Sequence, residues 1–233
     1  MANRRGTPPI TANAALPAAA DTHGPNAEQA LAQYRQRAAW YDLELLPFEP
    51  IRHKAVERLA LSAGQTVIDV GCGTGLSLPQ LAAGVGSSGL VVGVEPSAEM
   101  LAHASAKLSR ADASVQLVLA RADAVDDCAL PVADAMLMHF THDVLRDPVA
   151  VQALMRHVRP GGRVVSAGLQ WAPLWAPMAN LFVWSAALYS TTCLEGLNAP
   201  WDSLRPYLDD LQVEPLWAGA IYIATGRRNH RPA

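Results

Sequence analysis

The run Val67-Ile68-Asp69-Val70-Gly71-Cys72-Gly73-Thr74-Gly75 restricts the fold more than any other stretch of this chain. Its first half is apolar and β-branched, the composition of a buried strand over residues 66–70. Three alternate glycines follow, and a helical pattern begins near Leu76. Glycines at 71, 73 and 75 let the backbone turn sharply and lie against a ligand with no Cβ in the way. A strand, a glycine turn and a helix form the ligand-binding unit of doubly wound α/β sheets. Spacing then selects the ligand. Dinucleotide binders use G-x-G-x-x-G and seat a pyrophosphate on the helix N-terminus. Here an acid, Asp69, closes the strand ahead of alternate glycines. It would repel a pyrophosphate and attract the ammonium of an amino-acid-like ligand.

The rest of the chain alternates strand-like and helix-like segments, the pattern of a parallel sheet. Strands are predicted at 66–70, 90–94, 115–120, 134–140 and 163–168, with helices at 76–83, 98–109, 148–157 and 178–190. Pro79 is tolerated in the first turn of its helix, Ser97 is the N-cap of the next, and residues 159–162 read as a turn. Two more strands, 213–217 and 220–225, flank a glycine-containing turn and read as a hairpin. Ahead of the sheet, helical spacing covers 27–41 and 50–61, with Pro50 in the first turn of the latter. The expectation is an α/β fold. It is a doubly wound, seven-stranded, mostly parallel sheet with an antiparallel C-terminal hairpin and an N-terminal helical cap. At 233 residues and 51% apolar composition, one domain over 27–233 is expected. Within it, 27–61 would be the cap, 62–168 the cofactor core, 169–204 an acceptor-side lid, and 205–233 the last strands and tail. Residues 1–26, rich in Ala and Pro, read as a disordered tail without a secretory h-region.

A net charge of −3 gives no bulk attraction to nucleic acid. Cys72, Cys128 and Cys193 are odd in number and lack metal-ligand spacing, which fits free thiols and a cytoplasmic location. No charged residue lies between Arg163 and Glu195. That interval is long enough to span a bilayer, but Gln170, Pro173, Pro177, Asn180 and Ser185 interrupt it. It reads as a buried strand plus an apolar lid, with peripheral membrane contact open and no stable membrane span.

The run 67–75 resembles motif I of the class I S-adenosylmethionine-dependent methyltransferases. The resemblance extends over about residues 34–227 and is similar in layout to the ubiquinone/menaquinone-type and phosphatidylethanolamine-type enzymes. It implies S-adenosyl-L-methionine as cofactor and assigns its contacts. Asp69, Gly71, Gly73 and Gly75 would hold the amino-acid end, with Cys72 a small filler in the same turn. Glu95, about twenty residues beyond the turn, would accept both ribose hydroxyls. Pro96 and Met100 would flank the adenine, Asp123 would receive its amino group, and the Ala124 amide would meet a ring nitrogen. Tyr34 and Tyr41 would stand near the sulfonium, where a ring face steadies a cation. Arg52 or His53 would meet the cofactor carboxylate.

The strand end Met138-His139-Phe140-Thr141-His142-Asp143 falls, by the same resemblance, beside the transferable methyl. Methyl transfer is an in-line displacement, and much of its acceleration comes from holding the nucleophile aligned. A hydroxyl or protonated-nitrogen acceptor must also lose a proton, which makes His142 and His139 base candidates and Asp143 a candidate for orienting one of them. His139 is equally a cofactor-pocket residue. These three lack the carboxylates of a metal-dependent site, so no metal is expected. Trp40, Trp171, Trp175 and Trp184 are candidates for an acceptor wall, with Phe182 and Tyr189 in the same uncharged stretch. Aromatic walls take flat or greasy molecules. The expected activity is methyl transfer to a small apolar or aromatic acceptor, oxygen slightly ahead of nitrogen or carbon. A phospholipid amine methyltransferase at a membrane surface and a non-catalytic cofactor-binding sensor or partner subunit stand as alternatives. A nicotinamide dehydrogenase is disfavoured by Asp69 and the glycine spacing.

Overall fold

The computed structural model describes residues 10–12, 42, 45–108, 114–190 and 194–230. Its strands are β1 (Ile10–Ala12), β2 (Thr66–Val70), β3 (Leu90–Glu95), β4 (Ser114–Leu119), β5 (Ala133–His139), β6 (Val158–Leu169), β7 (Leu208–Leu216) and β8 (Ile221–Arg228). The helices are α1 (Glu49–Arg58), α2 (Leu78–Val85), α3 (Ala98–Leu108), α4 (His142–Leu145), α5 (Pro148–Arg156) and α6 (Pro177–Ser190). One sheet holds all eight strands in the order β1-β4-β3-β2-β5-β6-β8-β7. Strands β1 to β6 pair in parallel, and β8 runs antiparallel between β6 and β7. The seven expected strands and the C-terminal hairpin are all present.

Alternation along each strand sends side chains to opposite faces of the sheet. Val67, Val91, Leu117, Leu137, Val165 and Ile223 share one buried cluster with α1, α2 and α3. Their neighbours Ile68, Val92, Val118, Met136, Val164 and Ala224 pack on the other face with α5. Helix starts follow local chemistry. Ser97 Oγ accepts from the Met100 amide at 3.3 Å, and Asp147 Oδ1 accepts from the Val149 amide at 2.9 Å, with Pro148 in the first turn.

Three features depart from the sequence reading. Within the presumed tail, Ile10–Ala12 forms an eighth strand, pairing with Leu117–Leu119 at the sheet edge. Residues 159–162 are no separate turn. They lie inside β6, where Gly161 takes φ +76° and the pairing with β5 slips between Ala133 and Ala135. Such a bulge absorbs the irregular residues without ending the strand. Short elements without periodic pattern were not expected: α4 and the 3₁₀ turns at Ala122–Asp127 and Pro200–Tyr207. The cap helix expected at 27–41 lies outside the described residues. Among those described, no helix is long and apolar enough to cross a membrane.

Gly93 faces Asp69 across the β2–β3 pair. A Cβ there would come within 2.9 Å of Cys72 Sγ and 3.1 Å of Leu117 Cδ2. Gly93→Ala should therefore destabilise the chain by about 1–3 kcal/mol in denaturant unfolding. Adding Cys72→Ala should recover part of that loss.

Candidate active site

The strand order reverses between β2 and β5, and the cleft opens at their carboxyl ends, where doubly wound sheets bind ligands. Leu45, Arg52, Asp69, Gly71, Cys72, Gly73, Thr74, Leu76, Ser77, His139 and Phe140 line it, enclosing about 390 Å³ open to solvent. Two-residue periodicity explains the convergence. Asp69 lies on the same sheet face as Val67, and His139 on that of Ala135 and Leu137, the face that α1 covers. Arg52 enters from α1 and is only 3% exposed. Its guanidinium pairs with Glu49 and acts electrostatically on both Asp69 and His139. His53, by contrast, is exposed and bonds Glu49 Oε1 at 2.7 Å, away from the cleft.

The glycines differ in purpose. Gly71 takes φ +65°, and a Cβ there would sit 2.6 Å from Thr141 Cγ2, so it makes room for the β5–α4 corner. Gly75 leaves the cleft lining altogether. A Cβ on it would meet Ala104 Cβ at 2.9 Å, so it lets α3 approach the turn. Gly73 lines the cleft, and its amide donates to Glu95 Oε2 at 3.1 Å. The other oxygen, Oε1, accepts from the Ser97 amide at 3.0 Å. Both oxygens expected to face ribose hydroxyls thus already hold the turn, each with lone-pair capacity to spare.

Burial dominates the electrostatics. It pushes the Asp69 carboxyl up to about 7, with Arg52 opposing and Glu95 adding to the rise. Glu95 is likewise pushed up to about 7 by burial, against the Ser97 and Gly73 amides. Burial, then the Arg52 charge, pushes His139 down to about 3, so its ring is neutral at physiological pH. Asp69 Oδ2 and His139 Nε2 are enclosed without a hydrogen-bond partner among the described residues. Cys72 is buried, and its thiol is pushed well up, so it is inert.

Other expected residues fall away from the cleft lining. Asp123 is held by Arg121 through two bonds of 2.9 and 2.8 Å, and the Ala124 amide donates to the Arg121 carbonyl at 3.1 Å. Met100 is fully buried and Pro96 half-buried beside Glu95. His142 Nε2 lies 3.0 Å from the Glu195 carbonyl, which fixes the proton on that nitrogen and leaves Nδ1 enclosed and unpartnered. Burial lowers its pKa, with the Glu195 contact opposing. Asp143 is half-buried and acts on His142 electrostatically. Trp171 packs half-buried against the core, whereas Trp175 and Trp184 turn to solvent at 76% and 50% exposure. Those two therefore do not wall the cleft. Tyr34, Trp40 and Tyr41 lie outside the described residues.

The structure supplies a different aromatic wall. Phe48 meets Phe140 edge-on at 5.1 Å, Phe182 at 6.1 Å and Trp217 in a stack at 5.4 Å. Phe182 also meets Trp217 at 5.8 Å, and Phe140 meets His139 at 4.8 Å. Four separate elements bring these rings together, and Phe140 joins the group to the cleft lining. Phe140 and Trp217 hold left-handed backbone, φ +57° and +50°, a strained state that clusters at functional sites. Of the four, the sequence signalled only Phe182; Phe48 stands among turn residues, and Phe140 and Trp217 close expected strands.

A methyltransferase-domain family model matches residues 67–162. The 2-phytyl-1,4-naphtoquinone methyltransferase of Thermosynechococcus vestitus is 34% identical over 189 residues, covering 78% of this chain and 81% of that protein. This chain is a member of the class I S-adenosylmethionine-dependent methyltransferase family. Demethylmenaquinone methyltransferase of Desulfitobacterium hafniense is 32% identical over 49% of this chain, which spans only 46% of that protein. The chain spans less than half the length of several other curated relatives it matches. The fold agrees. An O-methyltransferase family protein of Burkholderia thailandensis superposes with TM-score 0.63 at 18% identity, over 87% of this chain and 62% of that one. A SAM-dependent methyltransferase of Aquifex aeolicus gives 0.55 at 19%, over 84% and 97%.

The family's cofactor, S-adenosylmethionine, fits the residues present. An enclosed carboxylate oxygen without a partner and a second buried acid suit a ligand with an ammonium, a sulfonium and ribose hydroxyls. Cation binding favours ionised Asp69 and Glu95, so cofactor affinity should fall as pH drops through 7, measured by calorimetry from pH 8 to 5.5. The free protein should show the opposite trend. Both acids are raised on folding from the ordinary carboxylate range to about 7, so they contribute stability at acidic pH that is lost as pH rises through 7. Asp69→Asn should flatten both dependences; unchanged pH profiles in that variant would contradict the assignment.

Proposed function

We propose that the chain transfers the methyl group of S-adenosylmethionine to a small apolar or aromatic acceptor, oxygen ahead of nitrogen or carbon. The observation that carries this reading is the aromatic group of Phe48, Phe140, Phe182 and Trp217, which meets the cleft lining through Phe140. Rings at these spacings offer flat, apolar faces to an acceptor beside the cofactor. The names of the quinone methyltransferase relatives support a small aromatic acceptor, while the preference for oxygen draws nothing from them, since one of these relatives is a C-methyltransferase.

In this reading the cofactor supplies a sulfonium-bound methyl carbon open to in-line attack, leaving S-adenosylhomocysteine. Asp69 faces the ammonium, Arg52 the carboxylate, and Glu95 the ribose hydroxyls. Gly71, Cys72, Gly73 and Gly75 shape the turn beneath, while Pro96, Met100, Asp123 and Ala124 stand on the adenine side. The wall excludes water and aligns the acceptor, the main source of acceleration. Where the acceptor carries a proton, His142 would serve as base only once its enclosed Nδ1 is uncovered, with Asp143 acting on the ring through its charge. His139 serves the cofactor pocket instead, since a conjugate acid near 3 makes it a weak base.

A second reading is favoured by the exposed apolar residues beside the wall. Leu174, Trp175, Met178, Leu181 and Trp184 face solvent, Leu174 at 97%. An uncharged surface with tryptophans suits the interfacial region of a bilayer. The acceptor would then be a membrane lipid, including a phospholipid amine.

Calorimetry with S-adenosylmethionine, S-adenosylhomocysteine and NAD tests the cofactor assignment. Micromolar-range binding of both sulfur compounds is expected, none of NAD, and loss in Glu95→Ala. An acceptor screen of quinols, phenols and amines follows, with and without phosphatidylcholine vesicles. Phe182→Ala should raise acceptor KM by about tenfold, the scale of losing one buried ring contact, with cofactor Kd unchanged. A vesicle requirement for turnover would select the membrane reading. Cofactor binding without turnover on any acceptor would leave the sensor alternative.

A further inference from the structure

The glycine turn is gripped from outside by residues that the cofactor assignment does not use. Asp42, from the segment ahead of α1, accepts from Thr74 Oγ1 through Oδ1 and from Lys107 Nζ through Oδ2, both at 2.5 Å. Lys107, in the last turn of α3, also donates to the Thr74 carbonyl at 2.9 Å. Thr74 is thereby held at both its side chain and its main chain, and it is only 1% exposed. It stands between Gly73 and Gly75, whose φ values are +56° and +79°. Residues so placed have wide conformational freedom, and a ligand that needs one turn geometry must freeze it. Thr74 and Leu45 both line the cofactor cleft, so the grip acts at its rim.

We propose that Asp42 and Lys107 form a clasp that pre-sets the Thr74 turn for the cofactor and so links the segment ahead of α1 to cofactor occupancy. Asp42 lies 32 residues before Thr74 and 65 before Lys107, so the contact exists only when three separate parts of the chain meet. Asp42 and Lys107 are positioning residues; neither lines the cleft. An exposed ion pair alone adds little stability. Here the pair is part-buried and shares its hydroxyl and carbonyl partners with the turn. Its effect should therefore appear in binding more than in folding. Linkage makes the effect reciprocal: cofactor binding tightens the clasp by the same factor that the clasp tightens binding.

The inference rests on the cofactor assignment above, and the test separates the two. S-adenosylhomocysteine is titrated calorimetrically into the full chain and into Asp42→Asn, Lys107→Met, Thr74→Val and Thr74→Ser. Failure of the unaltered chain to bind would overturn the cofactor assignment itself. With binding intact, the first three variants should each weaken it by about five- to tenfold, on the order of 1 kcal/mol. Thr74→Ser keeps the hydroxyl and should bind as the unaltered chain does. The Asp42→Asn/Lys107→Met double variant should lose far less than the product of the single losses, since the two residues act as one unit. Melting temperatures of the ligand-free proteins report folding separately. Unchanged affinity in Asp42→Asn and Thr74→Val would overturn the clasp, as would equal loss in Thr74→Ser and Thr74→Val. Should Lys107→Met fail to fold, the Thr74→Ser and Thr74→Val pair still decides.

Discussion

Burial of the Asp69 carboxylate beneath α1 is the constraint around which the cleft is arranged. An ionised carboxylate taken from water without partners is costly, and Asp69 Oδ2 has none among the described residues. The fold answers in two ways. Arg52 is brought in on α1 as a buried counter-charge, and the carboxyl is pushed up towards neutrality. Neither removes the conflict, because Glu95 stands close enough to add its own negative field. A cationic ligand does what the protein alone does not. The electrostatics of the cleft thus suit a ligand of the cofactor's chemistry.

Geometry at the other end of the site carries a similar tension. Phe140 and Trp217 are held in left-handed backbone, and Ala218 beside Trp217 takes φ +54°. None of these residues favours that region, so surrounding structure must impose it. What it achieves is contact. Phe140 reaches Phe48 from the end of β5, and Trp217 reaches both Phe48 and Phe182 from the β7–β8 turn. The antiparallel hairpin therefore packs against this aromatic group as well as forming an edge of the sheet. The exposed tryptophans of the lid segment lie outside this packed group and give the same end of the molecule an apolar outer surface.

Legibility of the sequence followed the range of the interactions. Strand alternation, proline placement and the Ser97 cap are decided within a few residues, and each strand from β2 to β6 overlaps its expected position. The places of Asp69 and Gly73 in the cleft lining could be read because motif spacing encodes one strand, one turn and one helix. The bulge in β6, the 3₁₀ turn at Ala122–Asp127 and the edge strand Ile10–Ala12 left no periodic trace. Arg52 and His53 could not be told apart by residue type. Adjacent on one helix, they point to a cleft and to solvent respectively.

By itself the sequence determined the α/β class, the glycine turn with its acid, and the family whose cofactor that turn serves. These rest on local backbone sterics and period-two burial, which any chain with this pattern must obey. Only the tertiary structure decided which aromatic rings meet and that Asp42 and Lys107 close on Thr74. Those contacts join residues from different elements, and in several cases residues tens of positions apart. They depend on how helices and turns are set against the finished sheet, a relation that spacing along the chain does not encode.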